Sequence, residues 1–248
     1  MSYPKVEFKI VPIKKEIWAF NHFLQHSNQS FKFRFLDSYS ILKEPKLDIT
    51  GWLKGEWKTK RRKTKVNVGH YQKEWNKIQK EFMTNLSDVI GTPWFKNPEK
   101  IEAYLSLCKV FPRNIEKMNF YIPYDWPTQR VFGIAAHEIT HLLYFKKFGE
   151  LFPDVSKQKY GGPHIEWILS EILVSVILND KKFNKILPGP HYSYDCFYKN
   201  RIGKRTIQHY FEDKYAEDIY KKGKTFDDYL KWAYKFAKKH EKELDVVK

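Results

Sequence analysis

The chain has 248 residues, 42% of them apolar and 17% aromatic, which is enough to bury a real core in one large domain or two small ones. Its two isolated cysteines, Cys108 and Cys196, exclude a disulfide framework and a cysteine metal site and read as buried thiols. The 45 Lys and Arg against 29 Asp and Glu leave a formal charge of +16, a surplus that attracts polyanions and acidic surfaces without naming one.

No apolar run follows MSYPKVEFKI, so no secretory signal is read. KVEFKIVPI alternates and predicts a strand. KKEIWAFNHFLQH has helical spacing at Ile17, Trp18, Phe20 and Leu24. His22 and His26 stand four apart there, but no carboxylate adjoins them, and they read as ordinary histidines. KLDITGWLKGEWKTK and TKVNVGHY predict two strands around the basic block Lys58 to Lys65, KTKRRKTK. That block reads either as an exposed hairpin or as a patch contacting nucleic-acid phosphates. EWNKIQKEFMTNLSDVI follows as an amphipathic helix with Trp75, Ile78, Phe82, Leu86 and Ile90 on one face.

PEKIEAYLSLCKVF fits strand or helix, and EKMNFYIP predicts a strand closed by Pro123. A helix is expected from Asp125, with Pro127 in its first turn, to about Lys147, with Gly149 as its stop. ELFPDVSKQKYGGP is a loop. HIEWILSEILVSVILND is a strongly apolar and so buried helix, and its longest apolar run carries a glutamate and is far too short to span a bilayer. ILPGPHYSYDCFYKN is an aromatic loop. TIQHYFEDKYAEDIYKK and TFDDYLKWAYKFAKKHEKEL predict two closing helices, the last capped by Thr225 with Asp228. Strands early and helices late predict an α+β fold: N-terminal strands and helices forming a small sheet, then a helix pair, then C-terminal helices. The expectation is a single domain over 1–248, with an N-terminal α+β part over 1–124, the helix pair over 125–182 and a helical part over 183–248. The protein is expected to be cytoplasmic, without a membrane partner.

The stretch AAHEITHLLYF holds the chemistry. On a helix, His137 and His141 lie one turn apart on the same face and both reach one ion. Glu138 is rotated by about 100°, too far to be an easy third ligand but placed to lean over a water on the metal. That is the mechanical content of the H-E-x-x-H pattern. Ile134, Ala135, Ile139, Leu142, Leu143 and Phe145 mark a buried element, where two imidazoles and a carboxylate are costly unless something pairs with them. A zinc ion does so.

HEITH followed by a buried helix containing LSE resembles the gluzincin type of zinc metallopeptidase, over about 126–180. The resemblance implies that a glutamate on the second helix completes the site. Glu166 and Glu171 are five apart, about 140° around the helix, so only one faces the metal. Glu171 lies mid-helix in the most apolar stretch, where a lone carboxylate needs a cation. Glu166 lies in the first turn, where the helix dipole alone explains it. Glu171 is therefore the expected ligand. His164, in YGGPHIEW, is the rival from SprT-like proteases, whose third ligand is a downstream histidine; here the histidine follows the Gly-Gly-Pro, whereas in those enzymes it precedes it.

Three protein ligands leave one zinc position for water, with Glu138 as general base. An oxyanion donor is also needed; His191 and Tyr192 are the first candidates, with Tyr194 and Tyr160 behind them. The resemblance further implies that MNFYIPYD is an edge strand that binds extended substrate; its other reading is a plain core strand. The expected function is a zinc metallopeptidase acting on a peptide or protein. The rivals are an SprT-like protease acting at nucleic acid and a non-catalytic nucleic-acid-binding protein with a structural zinc.

Overall fold

A computed structural model describes residues 2–25, 29–44, 46–95, 100–187 and 189–245. His26 of the NHFLQH pair, Pro98 and Glu99 at the start of PEKIEAYLSLCKVF, and Pro188 of the aromatic loop lie outside the described residues. The fold is α+β, and the chain packs into two compact units. One comprises Pro4–Gln79 with Pro98–Ala135, the other Lys80–Asn97 with Ala136–Val247.

The first unit holds the sheet. Strand β1 (Val6–Ile10) is followed by helices α1 (Ile13–Leu24) and α2 (Gln29–Asp37), a short 3-10 turn, and helix α3 (Ile49–Ile90), which ends in the second unit. Strands β2 (Ile101–Ser106), β3 (Arg113–Asn114) and β4 (Asn119–Pro123) complete a sheet of order β1-β2-β4-β3. β1, β2 and β4 run parallel, and β3 is antiparallel to β4. The ambiguous KIEAYLS thus resolves as a strand. Every residue of β4 is buried, and it lies between β2 and β3. Asn119 and Phe120 pair with β3, and Tyr121 N–H donates to Pro112 O at 3.1 Å. The expected free edge is therefore occupied along that length.

α3 overturns the basic hairpin. The two expected strands, the block Lys58 to Lys65 and the amphipathic helix after it form one 42-residue helix. The β-branched residues suggested strands, and Gly51, Gly55 and Gly69 disfavour a helix, but the buried positions tell of a different period. Leu53, Trp57, Thr64, Tyr71, Trp75 and Phe82 fall three or four residues, or two turns, apart. Tertiary burial of that stripe overrides local propensity. Two glutamines on α3, seven residues apart, also reach the outer edge of β1. Gln72 donates to Val6 O (3.0 Å) and accepts from Phe8 N–H (2.9 Å), while Gln79 accepts from Val6 N–H (2.8 Å). Three outward amide groups of the edge strand, Val6 N–H, Val6 O and Phe8 N–H, are thereby satisfied by side chains.

Above the sheet, Phe20 packs edge-on against Phe35 (ring centroids 5.2 Å) and Trp52 (5.6 Å), within a cluster that includes Leu53, Trp57, Tyr104 and Cys108. One carboxylate is buried there. Glu16 accepts from Ser106 Oγ at 2.7 Å and from Leu107 N–H at 2.6 Å, fixing the end of β2. Burial pushes its pKa up to about 7 despite those donors.

Helix α4 (Thr128–Leu151) begins in the first unit and ends in the second. It starts later than expected, because Pro127 lies outside it and its carbonyl accepts from Val131 N–H at 3.0 Å. It also runs past Gly149, which is not a stop: a side chain there would meet the Tyr160 hydroxyl at 3.1 Å.

The rest of the second unit is helical. α5 (Ile165–Leu178) is buried at every position except Trp167. α6 (Asp195–Lys199), a two-stranded hairpin of β5 (Arg201–Ile202) and β6 (Arg205–Thr206), and α7 (Ile207–Tyr215) follow. The first expected closing helix does not stay α-helical: after Tyr215 it widens into a π-helical turn, Ala216–Lys221. There the buried Asp218 is held by Lys214 (3.0 Å) and Lys224 (3.2 Å). α8 (Phe226–Lys239) opens with the expected Thr225–Asp228 capping box, and α9 (Glu241–Leu244) follows a break at His240. Cys108 is buried, whereas Cys196 is only half-buried. No helix among the described residues is long and apolar enough to cross a membrane.

Candidate metal centre

The second unit brings α4 and α5 together so that His137, His141 and Glu171 converge. Four-residue spacing puts the two histidines on one face of α4. Their Nε2 atoms are 3.0 Å apart. The Glu171 carboxylate straddles them, with Oε2 3.3 Å from His137 Nε2 and Oε1 3.4 Å from His141 Nε2.

These separations can be tested against a metal. Ligand atoms at ~2.0–2.1 Å from a tetrahedral ion sit about 3.3 Å from one another, since a tetrahedron's edge is about 1.6 times its radius. The two nitrogen–oxygen separations match that edge, each to its own carboxylate oxygen, and the two nitrogens stand about 0.3 Å closer. A hydrogen-bonded cluster fits less well, because an ionised carboxylate only accepts and a neutral imidazole donates from one nitrogen alone. A cation among the three satisfies all their lone pairs together. His141 and Glu171 are buried and His137 is half-buried, so the cluster is closed beneath and open on the His137 side. Glu138 is also buried.

Several contacts hold the ligands. The His141 ring lies parallel to Phe145, at 6.1 Å and 16°, and Phe145 stacks on Tyr160 at 4.4 Å and 20°. Tyr160 is thus a packing ring two layers from the histidine, with its hydroxyl toward Gly149. The Glu171 carbonyl accepts from Ser193 Oγ at 2.7 Å. Sequence reasoning named neither Ser193 nor Phe145 as a support. Phe145 had a signal, since it stands four residues after His141; Ser193 had none.

The rival ligands go elsewhere. Glu166 is buried facing α8, where it accepts from Tyr234 Oη at 2.7 Å. His164 is exposed at the N-cap of α5, seven residues before Glu171, or about 10 Å along the helix axis. Neither joins the cluster.

The loop that follows α5 is tied down by Asn179, whose side chain pairs with both His191 N–H (2.9 Å) and His191 O (2.8 Å). Burial lowers the His191 pKa, against a raising contact with Leu187 O. Since that carbonyl only accepts, His191 Nε2 carries the hydrogen at 3.3 Å. Neutral His191 then offers a lone pair at Nδ1, where a developing oxyanion needs a donor. Tyr192 is 69% exposed, and its ring meets Tyr198 edge-on at 6.0 Å. Tyr194 packs near Trp167, at 6.2 Å.

Compared with protein-family models, with curated proteins and with solved structures, the chain matches none.

Proposed function

We propose that the protein is a zinc-dependent metallopeptidase of gluzincin type, hydrolysing peptide bonds in a peptide or protein substrate. The observation that carries this reading is the convergence of His137, His141 and Glu171 within 3.0–3.4 Å of one another, with a buried glutamate directly after the first ligand. Two imidazoles and one carboxylate suit zinc, and three protein ligands leave a position for water, the pattern of catalytic sites. Once bound, zinc supplies a Lewis acid for a carbonyl and lowers the pKa of a water toward ~7.

The chain's own residues supply the rest. His137 and His141 hold their rings in place through the rigid turn of α4. Glu171 brings the negative charge that offsets the cation. The Glu138 carboxylate takes the proton of the attacking water and passes it to the leaving amine nitrogen. The Tyr192 hydroxyl, free to turn toward a substrate, is the donor proposed for the oxyanion.

The test is metal analysis joined to proteolysis of an unfolded protein such as casein. The protein should hold about one zinc per chain. Glu138→Gln should keep that zinc and lose hydrolysis by about 10²–10⁴-fold. Undiminished cleavage by Glu138→Gln would sink the mechanism, and a zinc-loaded wild type without hydrolysis would leave a structural metal.

A further inference from the structure

α3 arranges its charges unevenly. At about 100° per residue, Lys54, Lys58, Arg61, Arg62 and Lys65 fall within one third of the helix circumference. All five are exposed and none makes an ion pair among the described residues. The acidic side chains Glu56, Glu74 and Glu81 lie on roughly the opposite side. There Glu56 pairs with Lys60, Glu74 with Lys77 (2.5 Å), and Lys63 approaches Asp125 at 3.9 Å. The helix thus neutralises one face and leaves the other all-positive, although like charges three or four residues apart destabilise a helix by about 0.2–0.5 kcal/mol per pair.

The same face carries the helix's three glycines. Gly55 and Gly69 have nothing within 4 Å of where a Cβ would stand, so packing does not require them. Each costs about 1 kcal/mol relative to alanine in a helix interior. What a glycine does here is lower the profile between basic side chains. The last two helices offer a contrast. Over 227–243, α8 and α9 together have five lysines against four acidic residues, whereas 54–65 has seven basic residues against Glu56 alone.

We propose that this face of α3 binds the phosphate backbone of a duplex nucleic acid. The inference is independent of the metallopeptidase reading. From Lys54 to Lys65 the five charges span about 16 Å at 1.5 Å per residue, roughly 4 Å per interval. One strand of a duplex presents a phosphate about every 3.4 Å along its axis. An anionic bilayer fits less well. A helix lying on a membrane pairs its basic face with an exposed apolar one, and here Leu53, Trp57, Tyr71 and Trp75 are buried, leaving Val66 as the exposed large apolar residue of this helix.

The experiment uses the full chain and a 20-base-pair duplex, once as DNA and once as RNA, in fluorescence anisotropy between 50 and 200 mM salt. Log affinity should fall against log salt with a slope of about −4.5, for about five phosphates at ~0.9 each. Replacing Lys58, Arg61, Arg62 and Lys65 together by Ala should bring the slope to about −1 and weaken binding at 50 mM salt by at least 100-fold. Zinc content and helical circular dichroism should not change, since the four side chains are exposed and alanine favours helix. A charge-matched control, with the exposed Lys5, Lys117, Lys157 and Lys204 all replaced by Ala, should bind within about threefold of wild type. Three results would each overturn the proposal: no binding at 50 mM salt, equal loss in the control, or binding to phosphatidylserine vesicles without binding to either duplex.

Discussion

Glu171 and Glu166 show how much a position on a helix decides. Both are buried on α5, yet one faces two imidazoles and the other a tyrosine hydroxyl. Glu171→Ala should reduce zinc affinity by more than the 10–100-fold typical of losing a supporting contact. Glu166→Gln should leave it within about threefold, because the Tyr234 contact survives in the amide. Competition with a chromophoric chelator reads both values, and the reverse order would mean that the wrong face of α5 had been read. This choice was legible in sequence: a mid-helix carboxylate among apolar residues needs a cation, whereas a first-turn one does not. The loop was less legible. Nothing in HYSYD tells that Asn179 holds His191 through its backbone, or that Leu187 O takes the hydrogen of its ring.

At the scale of the element, α3 is where sequence and structure part. Its β-branched residues imitate strands, its glycines disfavour a helix, and KTKRRKTK imitates a turn. The signal that outweighed them was the buried stripe from Leu53 to Phe82, which no short window contains. The difference is measurable at Lys63, an exposed position in the middle of the helix. A proline in a hairpin turn would be tolerated, whereas within a helix it removes a hydrogen bond and clashes with the preceding turn. Lys63→Pro should therefore destabilise the protein by about 3 kcal/mol or more. Denaturation followed by circular dichroism at 222 nm checks this, and an unchanged midpoint would favour the hairpin. α5 and the Thr225 cap, by contrast, were readable, since burial along one run and a capping pair are local patterns.

For the whole molecule, the class of fold followed from the order of strands and helices, but its division into two units did not. Both α3 and α4 contribute to each unit, so no linker marks the boundary. Glu16 gives the first unit a dependence on pH. Its pKa is about 7 in the folded chain against an ordinary 4.5. The folded state therefore holds the proton between those values. The stability this contributes is full below pH 4.5 and is lost as pH rises through 7, on the order of 3 kcal/mol in all. Glu16→Gln cannot ionise, so the stability difference between wild type and variant should shift in favour of the variant from pH 5 to pH 8. Urea denaturation at the two pH values tests this, and a pH-independent difference would mean that Glu16 keeps the same protonation folded and unfolded.

The two glutamines of α3 that reach β1 have a consequence beyond this one molecule. An open sheet edge is a template on which a second chain can add a strand, and many proteins guard it with lysines or bulges. Here the guard is a helix that imitates a neighbouring strand, with Gln72 offering a donor and an acceptor and Gln79 a further acceptor. Because these amides are uncharged, the guard is insensitive to salt and pH. A highly basic protein that gathers on a polyanion loses the mutual repulsion that otherwise keeps its copies apart, and the amide guard is one that such crowding does not switch off.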